Sequence, residues 1–282
     1  MTQLKGKKIS FIGGGNMAQA LISGLIGKGI KPSDITVADP SPDIRHALKE
    51  LNINAVDPTG NTAFDNPQVA VETADIVVLA VKPQVMHQVV SGFSSVLNKQ
   101  LIISVAAGLS TDSISKMLNG YKNIVRAMPN TPAMIQKGAT GLYATNEIDE
   151  ADKALAASLM AASGLVSWVE NEEQLHAVTA VSGSAPAYFF YMLESMIEAA
   201  VDQGLDRKQA AALAMQTALG AAQMAITSGE APAELRRKVT SPNGTTQAAI
   251  ESLQQDDFAK IIKNAMQACY ARSEQISQEL AD

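Results

Sequence analysis

Five short stretches hold residues whose types and spacing could do chemistry. In FIGGGNMAQA, Gly13, Gly15 and Ala18 take the spacing G-x-G-x-x-A. The first glycine permits a tight turn, the second lets a pyrophosphate approach the backbone, and the small third residue lets a helix sit close to a strand. Placed after a strand and opening a helix, this reads as a dinucleotide cradle, with phosphates on the helix N-terminus. The second strand ends at Asp39, about where an acid meets an adenosine ribose; an acid there favours NAD and repels a 2′-phosphate. Ser41, just beyond, could donate to that phosphate, and Asp39 could equally be a plain strand-end residue.

The third stretch is LAVKP, at a strand end that faces the ligand crevice of a parallel sheet. Lys82 there could lie beside the nicotinamide ribose or phosphate, or simply be solvated. The fourth stretch, RAMPNTPAMIQKGATG, sets Asn130 and Thr131 between two prolines as a rigid polar corner expected beside the nicotinamide. The fifth stretch is VTSPNGTTQAAIESL, Val239 to Leu253. Pro242, Asn243 and Gly244 are turn residues, and Thr245 or Thr246 suits an N-cap before Ala249, Ile250 and Leu253. A helix start leaves N–H groups unpaired and concentrates positive potential. On local grounds the corner is either a capped turn or a cradle for an anion.

Hydride transfer from an alcohol would need a base for the hydroxyl proton. The three histidines are His46, His87 and His176. The first two fall on ordinary surface helices, and a lone helical histidine such as His176 is usually structural. No H-x-E or C-x-x-C occurs, so no metal is expected. Scarce acid–base residues point to a substrate that arrives activated. A protonated imine is one: its carbon accepts hydride and needs positioning more than a strong base.

These residues need elements to position them. From Lys8 to about Val169, short β-branched runs (KISFIG, ITVAD, DIVVLAV, LIISVAAG, IVRAM, GLYAT, VSWV) alternate with helical patterns. Such alternation specifies an α/β fold with a doubly wound, mostly parallel sheet, perhaps mixed at its late edge. After Trp168 the strands stop and the pattern is all helical, so the expected domains are 1–168, Rossmann-type, and 169–282, helical. The segment from Asp206 to Gly229 is alanine-rich and apolar on nearly every side. It is expected to be buried, either inside one chain's bundle or between subunits.

Two domains also suit the length of 282 residues. A formal charge of -6 without cation clusters argues against nucleic acid as a partner. The single cysteine, Cys269, forms no internal disulfide and fits a reducing compartment. The opening MTQLKGKKISFIGGG has too short an apolar run for a signal peptide, and no stretch is apolar enough to span a membrane. A cytoplasmic enzyme is expected.

Taken in order and spacing, FIGGGNMA, LAVKPQ, SVAAGLS, RAMPNTPA, VSGSAPAY and TSPNGTT closely resemble the pyrroline-5-carboxylate reductases, from about Lys8 to Ser273. The resemblance implies reduction of L-1-pyrroline-5-carboxylate to L-proline, the final step of proline biosynthesis, with NADPH or alternatively NADH. It implies a Rossmann-type domain and a helical C-terminal domain forming an intertwined homodimer, built in some members into larger rings such as a decamer. By the same analogy Ile12, Gly13, Gly14, Gly15, Asn16 and Met17 would hold the pyrophosphate, and Ser41 the adenosine phosphate. Asn66, in FDNPQ, matches an adenosine-contacting asparagine. Ala80, Val81, Lys82 and Pro83, with Ala106, Ala107 and Gly108, would line the nicotinamide side. Ser241, Gly244, Thr245 and Thr246 would bind the substrate carboxylate, with Thr246 hydrogen-bonding the ring nitrogen as the catalytic hydroxyl. Asn243 stands where the family usually has a first glycine, and asparagine tolerates positive φ better than other side chains. Asp39 replaces the polar residues often found there and casts doubt on a strict NADPH preference.

Two other classes share parts of this pattern. A hydroxyacid dehydrogenase of similar domain order would need a lysine in G-x-x-G-x-G-x-x-x-K, but SGSAPAYFFYMLESM has none before Lys208. A nucleotide-sensing regulator would have no use for a polar turn able to hold a carboxylate.

Overall fold

The computed structural model describes residues 2–59 and 67–280. Strands β1 (Ile9–Ile12), β2 (Ile35–Ala38), β3 (Asn54–Val56), β4 (Ile76–Leu79), β5 (Leu101–Ser104), β6 (Ile124–Met128), β7 (Gly138–Ala144) and β8 (Gly164–Trp168) form one sheet. Their order is β3-β2-β1-β4-β5-β6-β7-β8. Every neighbouring pair is parallel except β6 and β7, so the expected mixed late edge is there. Helices α1 (Asn16–Gly27), α2 (Pro42–Glu50), α3 (Pro67–Glu72), α4 (Pro83–Ser91), α5 (Thr111–Met117) and α6 (Glu150–Met160) connect the strands.

Cover on both faces explains why β1 and β4 are buried at every position, and apolar at all but Ser10. On one face Leu21, Ile22 and Leu25 of α1 pack with Leu159 and Met160 of α6. On the other, Met86 and Val90 of α4 pack with Ile114 of α5. Strand order reverses between β1 and β4, where an open α/β sheet leaves a crevice for its ligand.

The chain groups into two compact units, residues 1–184 with 269–282, and residues 185–268. This division differs from the boundary expected at 168. The strands do end at Trp168, but α7 (Gln174–Val178) and the π-helical turn Thr179–Gly183 stay with the sheet. The cause is close packing: a Cβ on Gly141 of β7 would lie 2.6 Å from Val178 Cγ1, and one on Gly183 2.7 Å from Met128 Cε.

The second unit consists of α8 (Ala185–Asp202), α9 (Arg207–Ser228), α10 (Pro232–Lys238), α11 (Thr245–Gln255) and the first part of α12 (Phe258–Glu279). The ends of α9 match the expectation: the Asp206 carboxylate accepts from the N–H groups of Lys208 and Gln209, and Gly229 closes the helix at φ 67°. Of the two burials expected for it, the one inside a single chain's bundle is not found. In the single chain only Ala210 and Ala214 of α9 are buried, while Leu213, Met215, Leu219, Met224 and Ile226 are exposed. Phe189, Phe190 and Tyr191 of α8 are exposed as well. So large an apolar surface marks an interaction face.

Candidate active site

The glycine loop leaves β1 at its carboxyl end and opens α1. Gly13 has φ +98°, and a Cβ there would sit 2.7 Å from the Ala80 carbonyl oxygen. Only glycine lets the loop lie against the turn that follows β4, and this brings Ile12–Met17 beside Ala80–Pro83. The two turns are tied by the Ala80 N–H donating to Ile12 O, while the Gly13 N–H donates to Ala38 O at the end of β2, each at 2.8 Å. Gly15 is the N-cap of α1, faces open space, and no side chain caps the helix. Ala18 is buried where the helix meets the sheet. The three positions thus have the environments that a pyrophosphate cradle requires.

Asp39 has a larger part than its place at a strand end suggested. Its Oδ2 accepts the Gly14 N–H at 2.7 Å and its Oδ1 the Ser41 N–H at 2.8 Å. Ser41 is the N-cap of α2, its hydroxyl accepting from Ile44 N. Nearby, Arg45 donates to the Asp39 carbonyl oxygen at 2.8 Å and pairs with Asp57 at 2.8 Å. Lys82 is exposed as the N-cap residue of α4. Ala106 and Gly108 are buried and Ala107 is exposed in the turn after β5, beside β4 in the sheet. Asn66 lies outside the described residues.

The polar corner near β6 is a brace. Asn130 is buried, donates through Nδ2 to Ser182 O at 3.0 Å, and accepts the Ala139 N–H at 2.8 Å. Sequence reasoning missed a separate polar cluster at β6. Glu172 accepts from the Thr111 N–H (2.7 Å), the Thr111 hydroxyl (2.9 Å) and Arg126 Nη1 (2.8 Å). The signal was a charged residue, Arg126, inside the apolar run IVRAM, which demands a partner once buried. Beside it, His176 Nδ1 lies 2.8 Å from Ser273 Oγ, and its ring meets Tyr270 edge-on with centroids 5.8 Å apart. Burial first, then Arg126, holds the imidazole below its ordinary pKa.

In the second unit, Ser241, Gly244, Thr245 and Thr246 come together in one turn. The Gly244 N–H donates to Ser241 O at 3.0 Å, with Pro242 and Asn243 at the corner and Asn243 at φ 58°. The N-cap of α11 is Gly244, not Thr245 or Thr246, because those two already have helical backbone. No side chain caps the helix. Gln247 Oε1 reaches back to accept the Asn243 N–H at 2.7 Å, which stiffens the corner. The hydroxyls of Thr245 and Thr246 are exposed and, among the described residues, make no hydrogen bond. A turn of this kind presents N–H and O–H donors to an anion.

A glycine-rich turn at the switch point of a mostly parallel sheet, followed by a helical unit, is the arrangement of an NAD(P)-dependent oxidoreductase. Residues 172–276 match the family model described as pyrroline-5-carboxylate reductase dimerisation, and residues 8–108 match NADP oxidoreductase coenzyme F420-dependent. The chain belongs to the pyrroline-5-carboxylate reductase family. It is 44% identical to the Pseudomonas aeruginosa pyrroline-5-carboxylate reductase over 275 residues, 97% of this chain and 98% of that one. The Escherichia coli enzyme of that name is 39% identical, covering 96% and 99%. Among solved structures, a pyrroline-5-carboxylate reductase from Coxiella burnetii superposes with TM-score 0.90 at 40% identity, covering 96% of this chain and 98% of that one. The Plasmodium falciparum pyrroline carboxylate reductase with NADP bound gives 0.83 at 28%, with the same coverage.

Among the described residues no three His, Cys, Asp or Glu side chains gather to hold a metal, and no helix is long and apolar enough to cross a membrane.

Proposed function

We propose that this protein reduces L-1-pyrroline-5-carboxylate to L-proline with NADPH or NADH, the final step of proline biosynthesis, in the cytoplasm. The observation that carries this reading is the uncapped start of α11, with two unengaged threonine hydroxyls on a rigid Ser241–Gly244 turn. These donors suit one small carboxylate, and the positive helix end adds to the attraction. The nicotinamide, when bound, supplies the hydride that goes to the imine carbon. The chain's own part is to hold and orient. Ile12–Met17 take the pyrophosphate, with Gly15 leaving room for it. Ser41 takes the adenosine phosphate of NADPH; Ala80–Pro83 and Ala106–Gly108 line the nicotinamide side. Ser241, Gly244 and Thr245 hold the carboxylate, and the Thr246 hydroxyl hydrogen-bonds the ring nitrogen, which keeps its proton as the double bond is lost. No strong base is needed, because the protonated imine is already electrophilic.

Two copies pair through the helical region, covering the exposed apolar faces of α8 and α9, and such dimers assemble into a larger ring of the decamer type.

Purified protein given reduced cofactor and pyrroline-5-carboxylate should oxidise the cofactor and form proline. With hydroxyisobutyrate, or with no substrate, it should not. Turnover of the hydroxyacid instead would transfer the protein to the dehydrogenase class; tight nucleotide binding without turnover would make it a sensor.

A further inference from the structure

The last turns of α12 return to the sheet-bearing unit and lie on the loop that follows β5. Gly108, buried in that loop at φ +84°, is where they meet it. A Cβ on Gly108 would stand 2.8 Å from Ile276 Cγ2 and 2.9 Å from Leu280 Cδ1. Leu280 also packs against the apolar cluster that contains Ala106 and Leu109, on either side of the exposed Ala107. One helical turn earlier, Ser273 is held by His176 at 2.8 Å. The helix end is thus fixed at Ser273 and closes over Gly108 with two branched side chains. A loop of two alanines and a glycine has almost no side-chain atoms with which to fix its own shape. Its conformation depends on what is packed against it.

We propose that Ile276 and Leu280 are positioning residues, a strap that holds Ala106–Gly108 in the conformation that receives the nicotinamide end of the cofactor. The inference rests on the reading that this loop lines the nicotinamide. It also gives the segment a role in catalysis separate from subunit pairing: the family's dimerisation match ends at residue 276, and Leu280 lies beyond it.

The test measures nucleotide binding by fluorescence in the absence of imine, so it is readable whether or not pyrroline-5-carboxylate is the substrate. In the full-length protein, Ile276→Ala should raise the Kd of the reduced cofactor roughly tenfold, as expected when a contact surface is misplaced by a fraction of an ångström. At saturating cofactor the KM for the imine should stay at the parent value, and Ile276→Val should restore binding. A chain ending at Glu279 keeps α12 whole and should show the same selective loss. A fall in thermal stability with unchanged nucleotide Kd would overturn the proposal, as would equal losses of cofactor and imine affinity. Failure of the parent itself to bind a reduced nicotinamide dinucleotide would overturn the functional reading instead.

Discussion

The carboxylate of Asp39 joins the Gly14 N–H to the Ser41 N–H, accepting at 2.7 Å from one and 2.8 Å from the other. A single buried side chain thereby links the glycine-rich loop to the N-terminus of α2. On the proposed reading this puts a negative charge where a 2′-phosphate would come, and the nearby Arg45 is already engaged with Asp57 and the Asp39 carbonyl.

Replacing that charge should change cofactor choice. Asp39→Ser is expected to raise the ratio of kcat/KM for NADPH over NADH by roughly tenfold, the effect of removing one repulsive contact of somewhat over 1 kcal/mol. Steady-state kinetics with both cofactors measures it. An unchanged ratio would mean that the carboxylate serves only to brace the glycine loop.

Glu172 satisfies three donors at once, and its Arg126 partner has only 9% of its side chain exposed. Glu172→Ala leaves a buried guanidinium without a counter-charge and should cost about 3 kcal/mol in denaturant unfolding. The double replacement Arg126→Met with Glu172→Leu should recover most of that loss. Strict additivity of the two single changes would show that they are not coupled.

The His176 imidazole is depressed chiefly by burial and next by Arg126, with Glu274, Glu173 and Glu172 pulling the other way. With its folded value below the ordinary 6.5, the unfolded chain binds the proton more tightly. The neutral ring's contribution to stability is complete above that pH and is lost as pH falls toward the folded value. Urea midpoints should therefore decline below about pH 6.5, and His176→Gln should flatten the decline. Parallel profiles for parent and variant would contradict the assignment.

Asn243 occupies the left-handed region at φ 58°. Asn243→Gly should leave both stability and turnover near the parent values. Asn243→Val, β-branched and poorly suited to positive φ, should cost about 1–2 kcal/mol and lower kcat/KM for the imine. Equal activities of the two variants would show that the turn's shape does not matter to the substrate.

Much of this was legible in the residues because the strong signals were local. G-x-G-x-x-A after an apolar run located Gly13, Gly15 and Ala18, and each occupies the environment its type suggested. β3 gave little signal, because it pairs on one side only and its residues are half-buried or exposed. The roles of Asp39 and Glu172 depend on donors 25 and 61 residues away in sequence, and no local pattern carries such distances. The N-cap of α11 fell one or two residues before the expected threonine because Gly244 already supplies the extended backbone that a cap needs. The apolar side of α9 was visible in the sequence, but its exposure in a single chain was not, since composition cannot distinguish a core from a subunit interface.

On the proposed reading the turn before α11 holds the imine while a separate cradle holds the dinucleotide. Thr246→Val tests it most directly, because the change removes one hydroxyl and nearly preserves shape. Steady-state kinetics should show kcat/KM for pyrroline-5-carboxylate falling by roughly ten- to a hundredfold, the cost of one lost hydrogen bond to a charged partner. The Kd for reduced cofactor should not move. Parental turnover of the imine, or a loss confined to cofactor affinity, would contradict the account.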